Sequence, residues 1–410
     1  MRIAFVAQPI DPVLPPHQNS IGLIIHHTAC RLAAEHDVTI FVNARHNDPA
    51  NVPDDGITYR FVSDWPDTPV LDFLGRFPNR FPQSAIVASD HYYRGYAGRV
   101  AGGLARGNYD WVHVLNFSQF MPLFKRRAPR SRFALEMQCE WLTQFPPAAV
   151  RRRVQDVDLI TGSSGYIARL IRDRYPEIAD RCHTLYNGYD DERFSPGEPR
   201  GDARPTRIVF VGRVSPEKGI HTLLDAMERV VAERPDAHLD LVGPLGALPL
   251  AYIVGISEDP KVQALAAYYD GQVCTDYEAY LRERAGRSPL AGHVTFVGGV
   301  PQAELCDWYR RSDVLANPSF SESFGMSLVE GMATGLPAVA TRIGGMPEIV
   351  VPGETGHLRE SGDAAGLAAD LLDCLQSAAR RDELGAAGLR RAREVFTWEA
   401  RARTLADLFS

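Results

Sequence analysis

"RIVFVGRVSPEKG" (207–219) is the stretch that decides the fold. Residues 208–211 are continuously apolar, the pattern of a strand covered on both faces of a sheet. A glycine, a short loop through Pro216 and a lysine follow, and a helical pattern then runs over 219–233. Strand, loop and helix in that order are a βαβ unit, whose sheet is parallel and whose helices pack on its faces.

The pattern repeats downstream. Strands are expected at 238–243, 293–298, 313–318 and 337–341, with helices at 302–311 and 325–333 and helical segments over about 363–395 and 397–409. Residues 246–291 interrupt this series with a helical periodicity of their own and read as an elaborated connection, not a third domain. Upstream, "RIAFVA" (2–7), "DVTIFVN" (37–43), "WVHVLN" (111–116), "RFALEM" (132–137) and "DLITGS" (158–163) are strands of a second set, alternating with helical stretches at 22–35, 90–106, 147–156 and 164–174. Between the sets, "NGYDDERFSPGEPRGDARPT" (187–206) has almost nothing to bury.

The expectation is therefore an α/β chain of two doubly wound Rossmann-like domains facing an interdomain cleft. The domains are 1–190 and 207–396, the linker is 191–206, and 397–410 crosses back to the first domain. A length of 410 residues agrees, since one ordinary core does not grow that large.

Composition narrows the function classes. The chain is 45% hydrophobic and 23% charged, and its formal charge of −7 carries no polyanion-binding signature, so nucleic acid is not expected as a partner. The apolar run at the start is too short for a signal-peptide core or a membrane span. The six cysteines show no C-x-x-C and no Cys/His pairing in this reading, which speaks against structural zinc and fits reduced thiols in the cytoplasm. Basic clusters at 125–132 and 151–153 could meet an anionic membrane, although such runs are more often solvated faces.

In open α/β sheets ligands sit beyond the carboxyl ends of the strands. After the 207–212 strand, Arg213 and Lys218 stand five residues apart on one loop; lysine occurs elsewhere only at 125 and 261. A guanidinium fork and an ammonium can together hold a diphosphate and neutralise charge growing on a leaving group. The same pair would also serve as a solvent-facing basic loop.

"SESFGMSLVEGMATG" (321–335) supplies the second piece. First-turn amides near Phe324, Gly325 and Met326 form an anion site, and carboxylates lie on either side of it. Glu322 can accept from sugar hydroxyls and Glu330, about two turns on, from the paired hydroxyls of a ribose. Alternatively Glu322 complements the helix dipole and Glu330 faces water. "TRIGGMPEIV" (341–350) and "FVGGVPQAEL" (296–305) add loops around Gly344 and around Gly299 and Val300 whose backbone can approach a ligand.

Taken in order, "FVGRVSPEKG", "VTFVGGVPQAEL" and "PSFSESFGMSLVEGMATGLPAVATRIGGMPEIV", with the E-x7-E spacing from Glu322 to Glu330, resemble the donor half of the family 4 glycosyltransferases, retaining enzymes of GT-B architecture. "NGYDDERF" (187–194) is similar to the segment that closes their first domain. The resemblance implies that Arg213 and Lys218 bind the donor diphosphate, Glu322 the transferred sugar and Glu330 the ribose. Gly22, Gly212, Gly243, Val300, Ser323, Phe324, Gly325 and Met326 would line the donor site. It further implies a nucleoside-diphosphate sugar, a UDP- or GDP-sugar foremost, as co-substrate, with no metal and no other cofactor.

The first domain, by the same resemblance, carries the acceptor side, and there the match loosens. The glycine-rich loop usual after the first strand is "PPHQNSIGL" here, keeping only Gly22, with Asn19 and Ser20 as polar substitutes. Where many members have H-x-H, this chain has His113-Val114-Leu115; His113 could touch the sugar or be a buried structural histidine. "EMQCEWLTQF" places Glu136, Gln138, Glu140 and Trp141 toward the acceptor, with core packing open for Trp141. A sugar-nucleotide epimerase or phosphorylase, or a noncatalytic sugar-nucleotide-binding protein, would share the donor motifs.

Overall fold

The computed structural model describes residues 1–75, 83–198 and 206–410. The chain forms two compact units, Met1–Gly188 with Trp398–Ser410, and Tyr189–Thr397. Residues 199–205 of the stretch expected as a linker lie outside the described residues.

The first unit holds seven strands: β1 (Arg2–Val6), β2 (Asp37–Asn43), β3 (Thr58–Val62), β4 (Trp111–Leu115), β5 (Arg132–Met137), β6 (Leu159–Gly162) and β7 (Cys182–Thr184). They lie in the order β3-β2-β1-β4-β5-β6-β7, with every pairing parallel. Ile3 to Val6 and Val112 to Leu115 are all buried, which explains why these strands read as unbroken apolar runs. The strands that periodicity does not show are β3, an edge strand whose outer residues stay wet, and β7, only three residues long. The helix Trp398–Phe409 belongs to this unit: Phe409 stacks on Trp111 at 4.4 Å and its carbonyl accepts from Trp111 Nε1 at 2.9 Å.

The second unit holds β8 (Arg207–Val211), β9 (His238–Val242), β10 (Val294–Gly298), β11 (Val314–Asn317), β12 (Ala338–Thr341) and β13 (Gly356–Arg359). Their order is β10-β9-β8-β11-β12-β13, again all parallel. Strand order reverses between β8 and β11, so the loops leaving those two strands diverge and leave a crevice, the usual place for a ligand in this architecture. β13 is a further edge strand beyond the apolar runs. The helical stretch expected over 363–395 is two helices, Ala364–Gln376 and Ala378–Val395, broken at Ser377, which turns extended and caps the second through its hydroxyl.

The connection between β9 and β10 folds onto its own unit. Tyr277 and Leu281 join the main core, while Val254, Val262 and Leu265 close over Phe320, which lies in the loop after β11. Among the described residues no helix is long and apolar enough to cross a membrane. The basic clusters are largely spent on carboxylates and rings: Arg151 pairs with Glu177, Arg152 and Arg153 with Asp90, and Arg132 lies over Trp111 at 4.1 Å.

Candidate functional site

The loops after β8 and β11 are joined through their backbones. The Glu217 carbonyl accepts from the amides of Phe320 at 2.7 Å and Ser321 at 3.4 Å. Gly219 turns the chain at a φ of +69°, and a Cβ there would lie 2.2 Å from the Pro318 carbonyl oxygen, so only glycine permits the approach. Lys218 therefore faces the Glu322 loop, and its Nζ lies 2.7 Å from Glu322 Oε2. Burial pulls the ammonium's pKa down, but the carboxylates of Glu322 and Glu217 outweigh that and hold it above its usual value, with Arg213 opposing them. Arg213 is exposed, and among the described residues it has no ion-pair partner.

Glu322 is fixed from behind by the loop after β12. The Gly345 amide donates to the Glu322 carbonyl at 3.4 Å, and a Cβ on Gly344 would stand 1.6 Å from that oxygen. Phe320, two residues earlier, stacks on His221 at 5.5 Å, and His221 stacks on Tyr268 of the β9–β10 connection at 4.6 Å. Burial pushes His221 down to about 4, so at neutral pH it is an uncharged packing surface under the Glu322 loop.

Gly325 caps the helix Met326–Ala333 in a left-handed conformation. Phe324 is buried edge-on against Phe396 at 5.7 Å, while Ser323 and Met326 are half-buried. Glu330 differs from the alternative of a solvent-facing carboxylate: it is 7% exposed, and its Oε2 accepts from the Tyr309 hydroxyl at 2.8 Å. Burial raises it to about 7, with Tyr309 and Arg193 opposing and Asp190 reinforcing. Gly212, Gly243 and Gly298 meet at the ends of β8, β9 and β10: the Gly212 amide bonds Val242, and the Gly243 amide bonds the Gly298 carbonyl at 2.8 Å. Val300 follows, half-buried.

The residues expected in the first domain are split by the fold. Gly22 is buried against the Pro12 carbonyl, and exposed Asn19 caps the helix Ser20–Leu32 by accepting from the Gly22 amide at 2.9 Å, with Ser20 exposed beside it. His113 and Glu136 are fully buried inside the unit. Arg401 Nη2 contacts both Glu136 oxygens, at 2.6 and 2.7 Å, and His113 Nε2 lies 3.0 Å from Oε2. These two side chains hold the last helix to the sheet, and neither reaches the surface. Gln138 is half-buried and exchanges hydrogen bonds with Asn187 at 3.0 and 2.8 Å. Glu140 accepts from Tyr166 at 2.8 Å, and Trp141 stands half-buried between Phe117 and Phe145.

Sequence reasoning missed the loop after β4, "NFSQF". Asn116 holds a positive φ of 55°, unusual without glycine, and its Oδ1 accepts from the Gln138 amide at 2.6 Å. Among the described residues, the buried side-chain polar atoms of Ser118 and Gln119 have no hydrogen-bond partner. Asp11, after β1, is pushed up to about 7 by burial, with Asn19 opposing, and its Oδ2 is likewise unpartnered. The strand order puts both loops at the first unit's own reversal point; only the three-dimensional pairing of β1 with β4 reveals it.

The family described as "Glycosyl transferases group 1" matches residues 191–391, which span the E-x7-E helix and the Lys218 loop. The spore coat protein SA of Bacillus subtilis is 24% identical over 426 residues, covering 100% of this chain and 99% of that protein. A D-inositol 3-phosphate glycosyltransferase of Streptomyces avermitilis is 31% identical over 261 residues, 62% of this chain and 51% of the relative, so the match spans about half of that relative's length. Among solved structures, Anabaena HepE in complex with UDP superposes with a TM-score of 0.72 at 19% identity over 99% of both chains, a likeness of fold. Two parallel-sheet Rossmann-like domains of this kind are the GT-B architecture.

Proposed function

We propose that this chain, whose residues 191–391 match the glycosyl transferases group 1 family, is a glycosyltransferase that moves a sugar from a nucleoside diphosphate to an acceptor with retention at the anomeric carbon. The observation that carries this reading is the Lys218–Glu322 contact at the reversal point of the second sheet, beside the start of the helix Met326–Ala333.

Breaking the bond between sugar and diphosphate leaves positive charge on the sugar ring and negative charge on the departing phosphate. Lys218, Arg213 and the first-turn amides of the helix receive the diphosphate and stabilise that charge, while Glu322 holds the sugar. Glu330, positioned by the Tyr309 hydroxyl, holds the ribose end. The acceptor oxygen attacks from the face the diphosphate leaves, and its proton passes to a phosphate oxygen, so the chemistry uses no protein base and no metal. The first domain supplies the acceptor side, through the loops carrying Asn19, Ser20, Gln138, Glu140 and Trp141. The UDP bound by HepE supports a UDP-sugar as the first donor to try.

Thermal-shift measurement against UDP-, GDP-, ADP- and TDP-sugars tests this, because a ligand of the folded state raises the melting temperature. One donor series is expected to stabilise the protein and to be slowly hydrolysed, with both effects weakened in Lys218→Ala. Stabilisation without any turnover would make the chain a binding protein; no stabilisation by any donor overturns the proposal.

A further inference from the structure

The helix Ser20–Leu32 places His26 and Cys30 one turn apart on one face, a Cys/His pairing absent from the expectation drawn from sequence. Facing them is Asp55, in the loop that leads into β3. His26 Nδ1 lies 3.8 Å from Asp55 Oδ2, Cys30 Sγ lies 3.9 Å from the same oxygen, and Sγ to Nδ1 is 4.0 Å. Three donor atoms thus form a nearly equilateral triangle. The centre of such a triangle is about 2.2 Å from each corner, the length of a zinc bond to sulfur, nitrogen or oxygen.

Sulfur, imidazole nitrogen and carboxylate oxygen together are the donor set of a borderline-soft divalent cation, not of magnesium or calcium. We propose that His26, Cys30 and Asp55 bind a zinc-class divalent ion, with a fourth position left to water or to Tyr59.

The surroundings are built for that orientation. Asp55 Oδ1 accepts from the Ile57 amide at 3.0 Å, which turns Oδ2 toward the other two donors. The Tyr59 hydroxyl lies 2.7 Å from Oδ2 and 3.1 Å from Nδ1, the donor atoms themselves, so on binding it gives up these hydrogen bonds or takes the fourth position. His26 is buried, and burial keeps its ring neutral, the form that ligates; the Cys30 thiol is pushed up by burial and by Asp55, so the incoming ion must displace its proton.

Topology gives the site a role apart from transfer. The helix Ser20–Leu32 runs back from the carboxyl end of β1, and Asp55 precedes the first residue of β3, so the triangle sits at the amino ends of the strands, opposite the ligand-binding loops. The ion fastens the edge strand β3 to the helix and takes no part in the chemistry.

Cobalt(II) titration of the reduced, chelator-stripped full-length protein tests this. One equivalent is expected to give a thiolate-to-cobalt charge-transfer band in the near ultraviolet, displaced by zinc and lost in Cys30→Ser. Zinc is expected to raise the melting temperature of the wild type but not of Asp55→Asn, and to bind His26→Gln at least about tenfold more weakly. A wild type with no band overturns the proposal, and so does a band of equal intensity in Cys30→Ser. Should Cys30→Ser fail to fold, an unchanged zinc affinity in His26→Gln, whose thiols are intact, overturns it equally.

Discussion

Lys218 and Glu322, 104 residues apart, meet at 2.7 Å because the Glu217 carbonyl ties together the two loops that carry them. Both side chains are about one-fifth exposed, so the pair is open to a ligand while being too sheltered for salt to screen fully. A nucleotide sugar that brings a diphosphate to Lys218 and hydroxyls to Glu322 would replace this contact by two others.

Lys218→Ala is therefore expected to lower kcat by roughly 10²–10³, the loss typical for one stabilising donor at a developing anion. Its cost in stability is expected to stay near ~1 kcal/mol, because the pair is partly exposed. Steady-state kinetics beside calorimetric melting would show the two effects separating; an equal loss in both would mean that Lys218 is only structural.

Gly344→Ala should disturb Glu322 without touching any ligand. The new methyl group would meet the Glu322 carbonyl at 1.6 Å, and the φ of +55° adds strain of about 1–3 kcal/mol. Donor affinity is expected to fall at least about tenfold in a titration followed by intrinsic fluorescence. Wild-type affinity in this variant would separate the loop after β12 from the placement of Glu322.

The pH dependence of the second domain should carry the signature of Glu330. Burial holds its pKa at about 7 against an ordinary 4.5, so the native state keeps the proton longer than the unfolded chain does. Its stabilising share is whole below pH 4.5 and is lost as pH rises through about 7. Melting curves between those limits should decline less steeply for Glu330→Gln than for the wild type, and parallel slopes would refute the assignment.

In the first domain the sign reverses. Burial alone would raise Glu136, but Arg401 with His113 outweighs it and brings the carboxyl down to about 2. The stabilisation is present above the ordinary carboxylate range and disappears as the pH falls toward that value. Glu136→Gln leaves Arg401 buried without its counter-charge and is expected to cost roughly 3–5 kcal/mol. Limited proteolysis should then release the segment Trp398–Ser410 first; resistance equal to that of the wild type would show that the stack of Phe409 on Trp111 suffices.

What the amino-acid sequence determined alone was whatever is written in neighbouring residues. Strands buried on both faces must be continuously apolar, so β1, β4, β8 and β11 were legible, and so were the loops that follow them. Glu322, Glu330, Arg213 and Lys218 were legible as a set because their spacing along the chain is itself the motif. Strands β3 and β13 were not, since TYRFV and GHLR mix polar residues into short runs and leave no continuous apolar signal. Only tertiary structure decided which side chains share a site. It set Lys218 on Glu322, turned Glu330 inward to Tyr309, withdrew Glu136 and His113 into the core, and brought Asp55 to His26 and Cys30. Each of these depends on which strands lie side by side or on which helix returns across the sheet, and the free energy that selects those pairings belongs to the whole buried core rather than to any local run of residues.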